Sequence, residues 1–197
     1  MGVLRKQLLA NNYIYSCLRQ LYTAQYRSSK HALQEEELTI SINGKQYEKD
    51  SWTNFRGRVV NLINRDLHRE KYNPICLIKE RIVNYFNKAF PNYRGNPLFA
   101  LCDDLSPVVT MQQNFDSLLV PPDHPSRNKS DSYFINKDYM LRAHTSAHQS
   151  ELIQSGLDCF LVAGDVYRRD QVDSTHFPVF HQMEGVRLFT EHQVSML

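Results

Sequence analysis

The strongest hydrophobic pattern lies late in the chain. Residues 158–168 (DCFLVAGDVYR) and 180–189 (FHQMEGVRLF) are two long apolar-rich runs of strand length. The eleven residues between them, 169–179, hold three charges, a His and a Pro. The runs therefore read as an antiparallel pair with a functional loop at its tip. Further upstream, Leu38, Ile40 and Ile42 alternate ahead of Asn43-Gly44, which predicts a short strand pair or linker over 35–53. Over 54–70, Phe55, Val59, Leu62, Ile63 and Leu67 recur at helical spacing behind Thr53 or Asn54, which predicts a helix. Asn73-Pro74 breaks it and opens a second helix, with Ile75, Ile78, Ile82 and Phe86 on one side and Pro91 as its stop. Residues 92–98 (NYRGNPL) read as loop. Ser106-Pro107 has the form of a cap followed by a first-turn proline, so a third helix is expected there. Val108, Met111, Phe115 and Leu118 form its apolar face, and Pro121-Pro122 stops it. Residues 123–132 are a polar loop, and strands with short helices follow from Tyr133. Helices first and antiparallel strands later make an α+β class.

Composition narrows this picture. A chain of 197 residues that is 42% hydrophobic can build one packed domain with an appendage. No run of 18 apolar residues occurs, so no helix is expected to span a membrane. Cys17, Cys76, Cys102 and Cys159 lie far apart and form no CxxC, which argues against a disulfide framework or zinc ribbon. Charge is unevenly spread. Residues 1–34 hold five of the 23 basic residues and none of the 21 acids. An acid-free basic N-terminus with interspersed Leu, Ile and Tyr has the composition of a mitochondrial transit peptide. The remaining 163 residues carry 18 basic and 21 acidic side chains, a net of −3, which gives no compositional support for nucleic-acid binding there.

Candidate chemistry concentrates in two places. Residues 166–184 (VYRRDQVDSTHFPVFHQME) collect two arginines, three acids, two histidines and two glutamines. Arg168 and Arg169 offer guanidinium forks that match phosphate or carboxylate. Strand period places Gln182 and Glu184 on one face and Met183 on the other, and a Gln beside a Glu suits an ammonium or amide partner. In residues 144–149 (HTSAHQ), Ser146 and Gln149 have the spacing of a capping box, and a helix start welcomes an anion. His144 and His148 are four apart, but there is no HExxH and no evident third ligand, so no metal site is expected. The chain has no P-loop, no GxGxxG and no GxSxG.

At these residues the chain resembles the mitochondrial phenylalanine–tRNA ligases (phenylalanyl-tRNA synthetases), of the class II synthetase fold. The matching stretches are SPVVTMQQNFDSLLVPPDHPSR (106–127), YMLRAHTSAHQ (139–149) and GDVYRRDQVDSTHFPVFHQMEGVRLF (164–189). The last resembles motif 2 and the first the motif 1 region, and the likeness runs collinearly over 74–192. The basic leader agrees with an organellar member.

The resemblance implies an antiparallel catalytic sheet flanked by helices. It implies a division into a 1–34 transit peptide, a 35–73 strand, linker and helix, and a 74–197 partial catalytic domain. It implies ATP-dependent activation of phenylalanine, with Mg²⁺, and its transfer to mitochondrial tRNA(Phe), by a monomer in the mitochondrial matrix. Arg168 would hold the α-phosphate as the catalytic cation, with Asp170, Thr175, His176 and Phe177 along the nucleotide. His144, Ser146, Ala147, His148, Gln149, Gln182, Met183 and Glu184 would surround the phenylalanine, with Gln182 and Glu184 on its ammonium. The family's later strands, motif 3 and anticodon-binding domain have no counterpart in the 197 residues, so a chain truncated after motif 2, inactive alone and poorly stable, is expected. The competing readings are a non-catalytic remnant or isoform that at most binds ATP or a partner, and a metal hydrolase using His144, His148 and His176.

Overall fold

A computed structural model describes residues 38–54, 57–170, 173–174 and 176–195. The acid-free leader, Phe55 and Thr175 lie outside the described residues. In chain order, β1 (Thr39–Ile42) and β2 (Lys45–Glu48) form the expected hairpin about Asn43-Gly44. Both turn residues have positive φ, 54° and 72°, the requirement of a tight two-residue turn. Ile42 and Tyr47 bury themselves against Val59, Ile63, Val108 and Tyr167, so the hairpin shares the main core.

The 54–70 helix does not form. Its described part is a run of turns with one 3-10 turn, Val60–Leu62. Gly57, Asn64 and Asp66 all adopt positive φ, which a continuing right-handed helix excludes. The apolar spacing is nevertheless used, because Val59 and Ile63 still reach the core. The second helix, α1 (Pro74–Ala89), forms as expected, with Asn73 accepting from the Ile75 amide and Pro74 in the first turn.

Next come β3 (Ala100–Cys102) and β4 (Val108–Thr110). Ser106-Pro107 therefore leads into a strand and not a helix. Ser106 Oγ is spent on its own turn, bonding the Val108 amide and carbonyl. The helix starts later, as α2 (Met111–Asn114), where Thr110 and Gln113 make a complete capping box. β5 (Tyr139–Leu141) pairs antiparallel with β4. A 3-10 turn, Thr145–His148, runs into α3 (Gln149–Gln154). The long strands β6 (Cys159–Tyr167) and β7 (Val179–Arg187) pair antiparallel over nine residues, and α4 (Glu191–Val194) follows.

β6 is the spine. All nine of its residues are buried, as its near-continuous apolar run requires. β3 joins its far side in parallel, so the three-stranded sheet, in the order β3-β6-β7, is mixed and not purely antiparallel. Helices and small mixed sheets make the α+β class. Among the described residues no helix is long and apolar enough to cross a membrane. Cys76, Cys102 and Cys159 are free thiols.

Candidate active site

The register of β6 on β7 sorts the polar residues onto two faces. Gly164 lies opposite Gln182 and Val162 opposite Glu184, while Asp165 lies opposite His181 and Ala163 opposite Met183. Directly opposed residues share a face. Gln182 and Glu184 therefore face one way, and His181 and Met183 the other.

On the first face the 3-10 turn Thr145–His148 lies against the sheet. Ser146 Oγ donates to Glu184 Oε2 at 2.7 Å. The expected Ser146–Gln149 capping box is absent: α3 has no side-chain cap, because Ser146 lies within the preceding turn and its hydroxyl is committed to the carboxylate. Glu184 Oε1 and Gln182 Oε1 are both buried and have no hydrogen-bond partner. Buried acceptors are normally satisfied, so two orphans on one strand face are a place for donors. Ala147 and His148 sit below this surface. Ala147 packs into the cluster with Phe115, Phe134 and Met140, and His148 Nε2 lies 3.2 Å from Arg142 Nη1. Gln149 opens α3 and is half-buried.

Arg168 stands just past the end of β6. Its Nε donates to the Ala143 carbonyl at 3.1 Å, and its guanidinium lies 5.1 Å over the Phe180 ring. Anchored through Nε, it keeps its Nη groups for an anion. With Asp170, His144, Ser132 and Asp131 it lines a cavity of about 620 Å³. His144 is half-buried; burial and the Arg168 charge hold its pKa below the ordinary value, so the imidazole beside the cationic Arg is neutral. His176 is exposed and ion-paired with Asp173 at 2.9 Å, whose hydrogen bond and charge raise its pKa.

Phe177 is not gathered with these groups. It lines a second cavity, of about 640 Å³, with Ile75, Ile78, Met183, His68 and His181. The structure thus brings together Arg168, Asp170 and His144, and separately Ser146, Gln182 and Glu184. It leaves Phe177 with Met183 at the apolar cavity and His176 out in the loop. His144, His148 and His176 form no common metal-binding group; among the described residues the one such group is His68, Asp165 and His181.

Two supporting residues escaped sequence reasoning. Arg142 is buried, donating from Nε to the Asp165 carbonyl at 2.7 Å and from Nη1 to the Leu105 carbonyl at 3.1 Å. A charge ending the apolar strand YML was its only signal. Phe180, the platform under Arg168, looked like one more strand aromatic.

A motif 2-like strand pair carrying an arginine at its tip defines a class II synthetase core. The family model described as "tRNA synthetases class II core domain (F)" matches residues 60–197, and the chain belongs to that family. The chain is 54% identical over 155 residues to "Phenylalanine--tRNA ligase, mitochondrial" of Rattus norvegicus, which covers 79% of this chain and 33% of that protein. It is 53% identical to "Probable phenylalanine--tRNA ligase, mitochondrial" of Drosophila melanogaster, over 79% of this chain and 34% of that one. It is 45% identical over 153 residues to "Phenylalanine--tRNA ligase, chloroplastic/mitochondrial" of Arabidopsis thaliana, over 78% and 34%. The chain spans about a third of the length of the curated relatives it matches.

Proposed function

We propose that this chain carries the phenylalanine-activating centre of a mitochondrial phenylalanine–tRNA ligase, which joins phenylalanine to ATP and passes it to tRNA(Phe). The observation that carries the reading is the pair of buried, unpartnered acceptors, Gln182 Oε1 and Glu184 Oε1, on one face of β7. An ammonium supplies donors for both, and Ser146 already orients the carboxylate that would receive its charge. Names of the relatives and the acid-free basic leader support a place in the mitochondrial matrix.

Adenylate formation is an in-line attack of the amino-acid carboxylate on the α-phosphorus, with pyrophosphate leaving. It calls for positioning and charge stabilisation and for no side-chain nucleophile. Gln182 and Glu184 hold the ammonium end. Arg168, braced by Ala143 and Phe180, holds the α-phosphate and stabilises the charge that builds on it. The residues present suit Mg²⁺ as well, since Asp131 and Asp170 bring hard oxygen donors to the cavity that Arg168 lines. Bound with ATP, Mg²⁺ would neutralise phosphate charge. His144 stays neutral and adds no second cation beside Arg168.

Calorimetric titration with phenylalanyl-sulfamoyl adenosine, a non-reacting adenylate mimic, tests this reading. The chain should bind it, and Glu184→Gln should weaken binding about 10- to 100-fold, the worth of a charge-assisted hydrogen bond. Arg168→Ala should slow phenylalanine-dependent pyrophosphate exchange about 100- to 1,000-fold. Equal affinity in the Glu184 variant would remove the ammonium assignment. Binding without exchange would favour a chain that only holds nucleotide.

A further inference from the structure

The second face of the β6–β7 pair carries a group to which the proposed function assigns no role. His68, Asp165 and His181 each offer a ligand atom, and these atoms lie within 4.8 Å of one another. His68 and Asp165 are each only 2% exposed, and the His181 side chain is 17% exposed. His68 Nδ1 is 3.3 Å from Asp165 Oδ1, and His181 Nε2 is 3.7 Å from the same oxygen. All three atoms are buried without a hydrogen-bond partner.

The bonds behind these atoms decide what they can accept. His68 Nε2 lies 2.8 Å from the Asp103 carbonyl, which accepts only, so Nε2 carries the proton. The neutral ring then turns the lone pair of Nδ1 toward a carboxylate oxygen, and two acceptors face each other. A second proton on His68 would relieve that clash, but it would leave His181 Nε2 at 3.7 Å, too far for a hydrogen bond. One cation between the three atoms satisfies all of them. Tetrahedral bonds of about 2.0–2.1 Å put donors about 3.3–3.4 Å apart, close to the two separations from Asp165; the two histidine nitrogens, within 4.8 Å of each other, would draw in around the ion. Asp165 Oδ2 accepts from the Tyr167 hydroxyl at 3.0 Å. Two of the three ligands have an outer partner, Asp103 behind His68 and Tyr167 behind Asp165, as in the second shell of metal sites. Two imidazoles and one carboxylate select a zinc-class cation over Mg²⁺ or Ca²⁺.

We propose that His68, Asp165 and His181 bind one zinc-class divalent cation, with a fourth position open to the apolar cavity beside α1. The ion ties the 57–70 turns to the centre of the sheet, on the opposite face from the Gln182–Glu184 surface. The site is independent of any Mg²⁺ that accompanies ATP.

The test uses the whole chain, stripped by a chelator and titrated with Co²⁺ and then Zn²⁺. One Co²⁺ per chain should bind, with the intense visible bands of four-coordinate cobalt and no thiolate charge-transfer band. Zn²⁺ should displace it. His181→Ala and Asp165→Asn should each weaken binding at least about 100-fold, beyond the about 10- to 100-fold that losing an outer partner brings. Circular dichroism checks each fold, and His181→Ala, at the more exposed ligand, decides if Asp165→Asn unfolds. No saturable Co²⁺ uptake, thiolate bands, or uptake that survives His181→Ala would each overturn the proposal.

Discussion

A Cβ on Gly164 would sit 2.0 Å from Arg142 Nη2, so glycine here makes room for a buried guanidinium beneath the sheet. That guanidinium bears on the state of His148. His148 Nε2 lies 3.2 Å from Arg142 Nη1, which only donates, and 3.1 Å from the Ser106 carbonyl, which only accepts, so the two neighbours pull its protonation in opposite directions. Burial first, and then the Arg142 charge, bring its pKa down to about 4. In the unfolded chain the imidazole takes its proton near 6.5. Between those values the unfolded chain binds more protons than the folded one, so stability falls as pH drops from 6.5 toward about 4. The loss assignable to this group is about 3 kcal/mol, at 1.36 kcal/mol per unit. Unfolding free energies measured by urea across that window should decline less steeply in His148→Gln than in the unaltered chain. Parallel declines would show that His148 is not the group responsible. His181 and His144, also lowered by burial, add slope of the same sign, while His68 and His176, whose pKa values are raised, oppose it near pH 6.5.

At the level of elements, short polar side chains decide where helices begin. Thr110 Oγ1 accepts from the Gln113 amide at 3.1 Å, and Gln113 Oε1 accepts from the Thr110 amide at 2.8 Å. Gln113 Nε2 also reaches Glu151 on α3 at 3.0 Å, so the box ties two helices together. Thr110→Ala should lower the urea midpoint by about 1 kcal/mol of stability with the denaturant slope unchanged, and Thr110→Ser should restore most of it. An unshifted midpoint would mean that the box contributes nothing. The same contest explains what the sequence disclosed. β6, β7 and α1 were legible because length, apolar pattern and breakers agree over nine or more residues. The 54–70 stretch has helical spacing too, but Gly57, Asn64 and Asp66 take left-handed turns that its apolar residues do not report. At Ser106-Pro107 a short-range bond to Val108 outcompeted a helix cap. The place of Arg168 at the end of β6, and of Gln182 and Glu184 on one face of β7, was legible because one strand pair holds them all. His68 was not, because only the tertiary fold brings it to Asp165.

Across the whole molecule, the three-stranded sheet has one fully buried strand, β6, with β3 at one edge and β7 at the other. Leu188 donates to the Asp158 carbonyl at 2.7 Å and Arg168 to the Pro178 carbonyl at 3.0 Å. Both pairs continue the β6–β7 register, in which opposed pairs alternate between hydrogen-bonded and non-bonded. Counting inward from either end, Phe180, Gln182, Glu184 and Val186 direct their amides at β6. His181, Met183, Gly185 and Arg187 direct theirs away from it, where the described sheet has no further strand. Amides bonded within the sheet exchange only when it opens, at a free energy approaching that of global unfolding, while edge amides exchange nearly freely. Residue-resolved hydrogen exchange should therefore show β7 protected at alternate positions: slow at 180, 182, 184 and 186, fast at 181, 183, 185 and 187. β6 should be slow at 160, 162, 164 and 166, where it pairs with β7, and also at Tyr167, whose amide bonds the Arg142 carbonyl at 2.9 Å. Uniform protection along β7 would mean that another strand covers this edge in solution. Exposed edges recruit such strands, and a dilution series would then tell a second copy of the chain, whose protection fades on dilution, from a strand of the same chain, whose protection does not.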